Sequence, residues 1–235
     1  MQDISYNFIH INNYKNYVFV ILIFLVKLFL GIYFISPVVS EWYIPFMEST
    51  LSSTKLDFYE NFKNTVSEEI AFPYGYGFIL YMYPIFKIFD IININFNVAY
   101  NFGIALSDLL IFFMLCKINS TNYFKILFFY WCNPIILICS YFLGFNDLIP
   151  ILFLLISIYF IRSRHFIYAS LFLALSVSVK ISMLLAIPIF LIYFNHNKKI
   201  NQNFIKFALF TFLFITLLEF PHFYSDAAFE MLITN

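Results

Sequence analysis

The sequence predicts an all-α fold: a polytopic transmembrane helix bundle of about seven spans, with surface helices in a large first outer loop. Three observations predict it. Of 235 residues, 63% are hydrophobic and 11% charged, with 35 Phe and 18 Tyr, against an apolar share of roughly 45–50% in soluble domains. The apolar residues gather in windows at 17–35, 75–89, 98–116, 124–141, 148–161, 166–179, 181–194 and 204–218, several of them near the length of about 20 residues that a crossing helix needs. The charges, finally, sort by sign across the membrane once one of these windows is kept out of it.

The first window is too long for the apolar stretch of a signal peptide and no small-x-small cleavage site follows it, so it is expected to stay as a helix behind a cytoplasmic N-terminus, residues 1–16. If every window crossed, Lys117, Lys125, Arg162, Arg164, Lys198, Lys199 and Lys206 would face outward while Lys15 faced inward, against the positive-inside rule. With residues 75–89 resting on the outer surface, seven crossings remain and all eight of those basic residues become cytoplasmic. The same choice gathers Glu41, Glu48, Asp57, Glu60, Glu68, Glu69, Asp90, Asp147, Glu219, Asp226 and Glu230 outside, leaving Asp3 inside and Asp108 in the membrane. The stretch FPYGYGFILYMYPIFKIFD fits a surface helix on its own terms: it is short, holds two glycines and two prolines, and carries Tyr74, Tyr76, Tyr81 and Tyr83, a residue type enriched at the interface.

The chain is therefore predicted to be one transmembrane domain, with residues 36–97 an extracytoplasmic loop containing an interfacial helix, 98–220 the remaining helices and 221–235 the start of another outer loop. Asn133 and Pro134 should break the third crossing near its centre. That helix then emerges at FLGFND, which delivers Asp147 to the outer face, either as a cap of the next helix or as a functional carboxylate. Residues 166–194 are read as a hairpin turning at Lys180.

Lys27 and Asp108 lie about 8 to 10 residues, roughly 12 to 15 Å, from the cytoplasmic ends of the first two crossings. At similar depth, two opposite charges in lipid should pair. The pair is either a clamp between helices or a grip for a lipid phosphate. Thirteen basic and thirteen acidic residues cancel, so net charge gives no ground for a nucleic-acid partner. Cys116, Cys132 and Cys139 lie inside apolar runs without metal-site or disulfide spacing. No cluster of His and acids specifies a metal; a divalent ion shared by Asp147 and another carboxylate is possible but not indicated. His10, His165 and His196 fall on the cytoplasmic side and His222 outside, none with a partner evident in the sequence. Asn119, in NST, has the spacing of a glycosylation acceptor but lies on the cytoplasmic side of this map.

SEWYIPFMES, NPIILICSYFLGFNDLIP and RSRHFIYASLFLALSVSVKISMLLAIPIF together resemble, in layout, the GT-C superfamily of membrane glycosyltransferases, in particular its polyprenyl-phosphate-mannose-dependent members. The resemblance covers the chain from Tyr17 to Phe220. It implies a large first outer loop with an essential acid, a second acid in the next outer loop, a polyprenyl-phosphate sugar as donor, and a glycan, lipid or protein as acceptor. It also implies an inverting hexosyltransferase, mannosyltransferase-like, in a bacterial inner membrane or an ER membrane. Related enzymes continue for several more helices, so the layout suggests that these 235 residues are an N-terminal part. An Asp is the usual first-loop acid, so here either Glu41 substitutes for it or Asp57 takes the role.

Such chemistry needs a base for the acceptor hydroxyl and a positive group for the departing phosphate. Glu41, held against Trp42 and Tyr43, is expected to be partly desolvated and hence a better base. Lys180 is the first choice for the phosphate, being one of four outer basic residues with Lys55, Lys63 and Lys87. Asp147 would orient the acceptor, with Asn146 beside it and Trp42 at the donor. The sequence has no Gly-rich phosphate loop or nucleotide fingerprint, which argues against a nucleotide-sugar donor. The alternative is a non-enzymatic polytopic membrane protein, either a transporter subunit or an assembly scaffold. Against a transporter stand the few intramembrane charges and the absence of an evident inverted repeat.

Overall fold

A computed structural model describes residues 14–53, 57–65, 74–119, 123–196 and 203–231. Asp3, His10, Lys55, Glu68, Glu69, Lys198 and Lys199 lie outside the described residues. Among those described, all regular structure is helical: α1 (Tyr14–Tyr33), a π-helical turn (Val39–Tyr43) leading into α2 (Ile44–Ser52), α3 (Phe58–Thr65), α4 (Tyr76–Ile91) and α5 (Phe96–Ile118). The chain continues through α6 (Tyr123–Ile126) with a π-helical extension (Leu127–Trp131), and α7 (Pro134–Ile136) with another (Leu137–Phe142). Then come α8 (Leu148–Arg162), α9 (Phe166–Val179), a 3-10 stretch (Ile181–Ala186) feeding α10 (Ile187–His196), α11 (Phe204–Glu219) and the short α12 (Asp226–Phe229). Among the described residues, three helical stretches are long and apolar enough to cross a membrane: Phe96–Ile118, Tyr123–Phe142 and Phe204–His222. Tyr17–Tyr33, Leu148–Arg162, Phe166–Val179 and Ile181–Phe194 are shorter apolar helices.

The expected breaks have identifiable chemistry. Pro134 lacks the amide that would continue the helix, and Asn133, extended at φ −69° and ψ 119°, restarts it by accepting a 2.9 Å bond from the Ile135 amide. Lys180 is extended at φ −149° and ends α9; beyond it α10 runs back until Phe194 meets Phe166, ring centroids 5.9 Å apart. The hairpin is therefore present. Gly144, at φ +75°, makes the tight turn before α8, and a Cβ on it would come within 2.9 Å of the Ser36 Cβ.

Side-chain bonds fix the helix directions. Asn97 reaches the Ile32 carbonyl at 3.2 Å at one end of α5, and Val20 clusters with Phe112 and Cys116 near the other, so α1 and α5 are antiparallel. Tyr100 donates to the Gly144 carbonyl and Arg162 to the Ile118 carbonyl, which aligns α8 parallel to α5. Ser176 to the Pro150 carbonyl and Ser157 to the Ala169 carbonyl make α9 antiparallel to α8. Ser170 to the Phe207 carbonyl, with Glu219 near Ser178 across Gly75, sets α11 parallel to α9. Because α1 and α5 run in opposite directions, the chain between them leaves and returns at the same end of the bundle; α4 does not invert it.

The packing of α4 shows a helix seated against the bundle along one face. Tyr76, Phe78, Met82 and Phe86 are buried in the largest apolar cluster. Phe86 meets Phe96 at 5.3 Å, and Tyr81 lies 3.0 Å from the Gly103 carbonyl and 2.7 Å from the Ser107 hydroxyl. Of the four tyrosines expected at the interface, only Tyr83 is exposed. The ring edges of the others found partners inside the protein, which satisfies a phenol as well as a headgroup does.

Candidate functional site

Two polar centres stand out, one enclosed and one at the end of the bundle that carries the loops. The enclosed one is built on Asp108 of α5. Its Oδ2 accepts from Lys27 Nζ at 2.7 Å and from the Tyr141 hydroxyl at 2.8 Å, and its Oδ1 accepts from the Tyr130 hydroxyl at 2.7 Å. Lys27 Nζ also sits 3.9 Å from the Trp131 ring centroid. The expected ion pair is present, and at 1% and 0% exposure it has no open side for a lipid phosphate. Three donors, Lys27, Tyr130 and Tyr141, from three helical stretches converge on the Asp108 carboxylate, which suits a clamp.

The second centre begins at the loop from Leu143 to Asp147. Ser36 donates to the Leu143 carbonyl at 2.7 Å, and Val39 packs over Gly144, so the segment that bears Glu41 is fastened to this loop. Asp147 forms an ion pair with Lys180, tying the start of α8 to the turn after α9. Both side chains remain partly exposed, at 43% and 32%. Asp147 occupies the N-cap position of α8 but makes no side-chain cap bond; its carboxylate goes to Lys180 instead. Beside it, Asn146 is 1% exposed, with Oδ1 and Nδ2 both unpartnered among the described residues. A buried amide of this kind is costly in isolation.

Below the loop lies a tyrosine network. Tyr43 stacks on Tyr100 at 5.2 Å, and its hydroxyl is 2.8 Å from that of Tyr74. Burial, reinforced by Tyr74, pushes the Tyr43 phenol far up from its ordinary value. It stays a neutral hydrogen-bonding group.

A neighbouring cluster was not legible as such in the sequence. Glu219, at the end of α11, pairs with Nδ1 of His222 in the following 3-10 turn. The imidazole packs against Tyr76 at 4.6 Å and Tyr59 at 4.9 Å between ring centroids. Glu219 Oε1 and His222 Nε2 are buried without a partner among the described residues. Burial raises the Tyr59 and Tyr76 phenols, and the Glu219 and Asp57 carboxylates raise them further. Gly75 makes room for this: a Cβ there would lie 2.8 and 2.9 Å from the two Glu219 oxygens.

Glu41 departs from expectation. It is exposed, Trp42 beside it is 37% exposed, and Glu41 makes no hydrogen bond or ion pair among the described residues. Tyr43, the neighbour expected to shield it, turns inward to Tyr74 and Tyr100. Asp57 has structural bonds: its Oδ1 caps α3 through the Glu60 amide at 3.0 Å and accepts from the Ser225 hydroxyl at 2.8 Å. Among the described residues no three His, Cys, Asp or Glu side chains converge on a cation site. Compared with known protein families, curated proteins and solved structures, the chain matches none.

Proposed function

We propose that this chain is a membrane-embedded glycosyltransferase that crosses the bilayer seven times and moves a hexose from a polyprenyl-phosphate donor to an acceptor on its extracytoplasmic face. The reading rests on the resemblance in layout and on one observation: the Asp147–Lys180 pair joins two loops at the end of the bundle where the Glu41 segment is fastened. Glu41, exposed and unpaired among the described residues, takes the proton from the acceptor hydroxyl. The acceptor oxygen then attacks the sugar carbon while the bond from that carbon to the phosphate oxygen breaks, and its electron pair leaves on the lipid phosphate. Configuration inverts in a single displacement. Lys180 steadies the departing charge; Asp147 engages one of its three N–H donors and holds the ammonium in position, leaving two for phosphate. The Asn146 amide supplies hydrogen-bonding capacity beneath them.

The test is transfer of a labelled hexose from its polyprenyl phosphate to a membrane glycan and lipid extract by the purified chain in vesicles. Glu41→Gln should lower the rate about 10²–10⁴-fold, the usual share of a positioned base. Lys180→Met should abolish transfer yet change stability by no more than about 1 kcal/mol, since the pair is solvent-screened. A wild-type protein that transfers nothing, or a Glu41→Gln variant as fast as wild type, overturns the proposal. A scaffold reading draws on the Asp147–Lys180 pair as a tie between two loops; it expects both variants to keep full function and partner binding.

A further inference from the structure

At the opposite end of the molecule, α8 and α10 leave a slot of about 220 Å³ between them. Leu154 and Ile158 line one side, Ile189, Phe190 and Tyr193 the other, and Arg162 closes one end. From Leu154 to Arg162 the slot follows two turns of α8, about 12 Å. It is smaller than the roughly 300 Å³ of the smallest drug-sized pockets, and the side chains named are apolar except Tyr193 and Arg162. Ile189 is 69% exposed, so the slot is open along its flank. An apolar slot that ends at the aliphatic stem of Arg162, with the guanidinium just beyond it, fits a hydrocarbon chain whose anionic head lies outside the slot.

The charge around that end is one-sided. Arg162 lies beside the end of α5, where its Nη1 donates to the Ile118 carbonyl at 3.1 Å. Its remaining N–H donors have no partner among the described residues, and a guanidinium can grip a phosphate with two at once. Lys117, at the same end of α5, holds its ammonium 4.5 Å from the Tyr159 ring centroid. Arg164 follows in the next turn, Lys125 opens α6 beside the end of α5, and Lys206 opens α11 beside the start of α9. No described acidic side chain lies at this end. A zwitterionic head would bring its own cation into this field; an anionic one would not.

We infer that the slot between α8 and α10 retains one anionic glycerophospholipid, an acyl chain against Ile158 and Ile189 and its phosphate on Arg162. The occupant is distinct from the proposed sugar donor. That donor's phosphate belongs at Lys180, at the far end of α8, whose 15 residues span about 22 Å. The site therefore stands whether or not the chain is a transferase.

The experiment reconstitutes the full chain into vesicles of equal parts phosphatidylcholine and phosphatidylglycerol, extracts it in mild detergent and counts retained lipids by native mass spectrometry. One phosphatidylglycerol per chain is expected. Arg162→Ala should lower retention about tenfold, the loss of one charge-assisted contact, and Arg162→Lys should keep part of it. Ile189→Trp fills the slot from an exposed position that folding tolerates, and should lower retention as far; Leu213→Trp, on the exposed face of α11, should not. Retention at the wild-type level in either Arg162→Ala or Ile189→Trp, phosphatidylcholine held as well as phosphatidylglycerol, or polyprenyl phosphate displacing phosphatidylglycerol when both are supplied overturns the inference.

Discussion

At the scale of single residues, the chain separates charges that hold it together from charges left available. Asp108 is surrounded by Lys27, Tyr130 and Tyr141 and shut from solvent. Removing one partner strands the other. Lys27→Met is therefore expected to cost about 3–5 kcal/mol, and the double variant Lys27→Met with Asp108→Leu to recover most of it; thermal unfolding in detergent compares the two. A double variant no better than the single would contradict this. The pair was legible because two opposite charges interrupt otherwise apolar runs at one depth, where lipid leaves them no other partner. Glu219 and His222 were not. Their pairing depends on the chain continuing past Glu219 as a 3-10 turn through Pro221, where a proline reads as a stop. Glu41 departs from expectation for a related reason: residues one or two apart on a helix do not share a face, so Tyr43 turns inward while Glu41 stays exposed.

At the scale of elements, the helices were readable and their contacts were not. The apolar windows reappear as helices because burial in lipid or protein asks the same of a sequence. The Pro134 break and the Lys180 turn follow from local backbone chemistry. The seat of α4 does not, since its partner on α9 lies far along the chain: the Gly77 amide donates to the Ser178 hydroxyl at 2.8 Å across 101 residues. A Cβ at Gly77 would stand 2.8 Å from the Val179 amide nitrogen. Gly77→Ala should thus push α4 from α9 at a cost of about 1–3 kcal/mol, the usual penalty of overpacking. Hydrogen exchange would locate the loss: faster exchange across α4 and the end of α9 is expected, and an unchanged profile would mean that the close approach is not tight in solution. Because Lys180 is two residues beyond Ser178, the same variant should also disturb its pairing with Asp147.

At the scale of the whole molecule, the antiparallel arrangement of α1 and α5 organises everything else. It returns the chain to one end after α4, and brings Glu41, Asp147, Lys180, Glu219 and His222 to that end while Lys117, Lys125, Arg162, Arg164 and Lys206 collect at the other. The sorting by sign was visible in the sequence through the positive-inside rule; what the sequence lacked was the shape of each end. Direct measurement of sidedness tests this most sharply. In a background without Cys116, Cys132 and Cys139, single cysteines at Glu41, Glu60, Lys125, Arg164 and Lys206, all exposed, are treated with a membrane-impermeant thiol reagent in sealed right-side-out vesicles. Positions 41 and 60 should label at once, and positions 125, 164 and 206 only after the membrane is opened. Labelling of 41 and 125 from the same side would contradict the arrangement and the shared outer site with it.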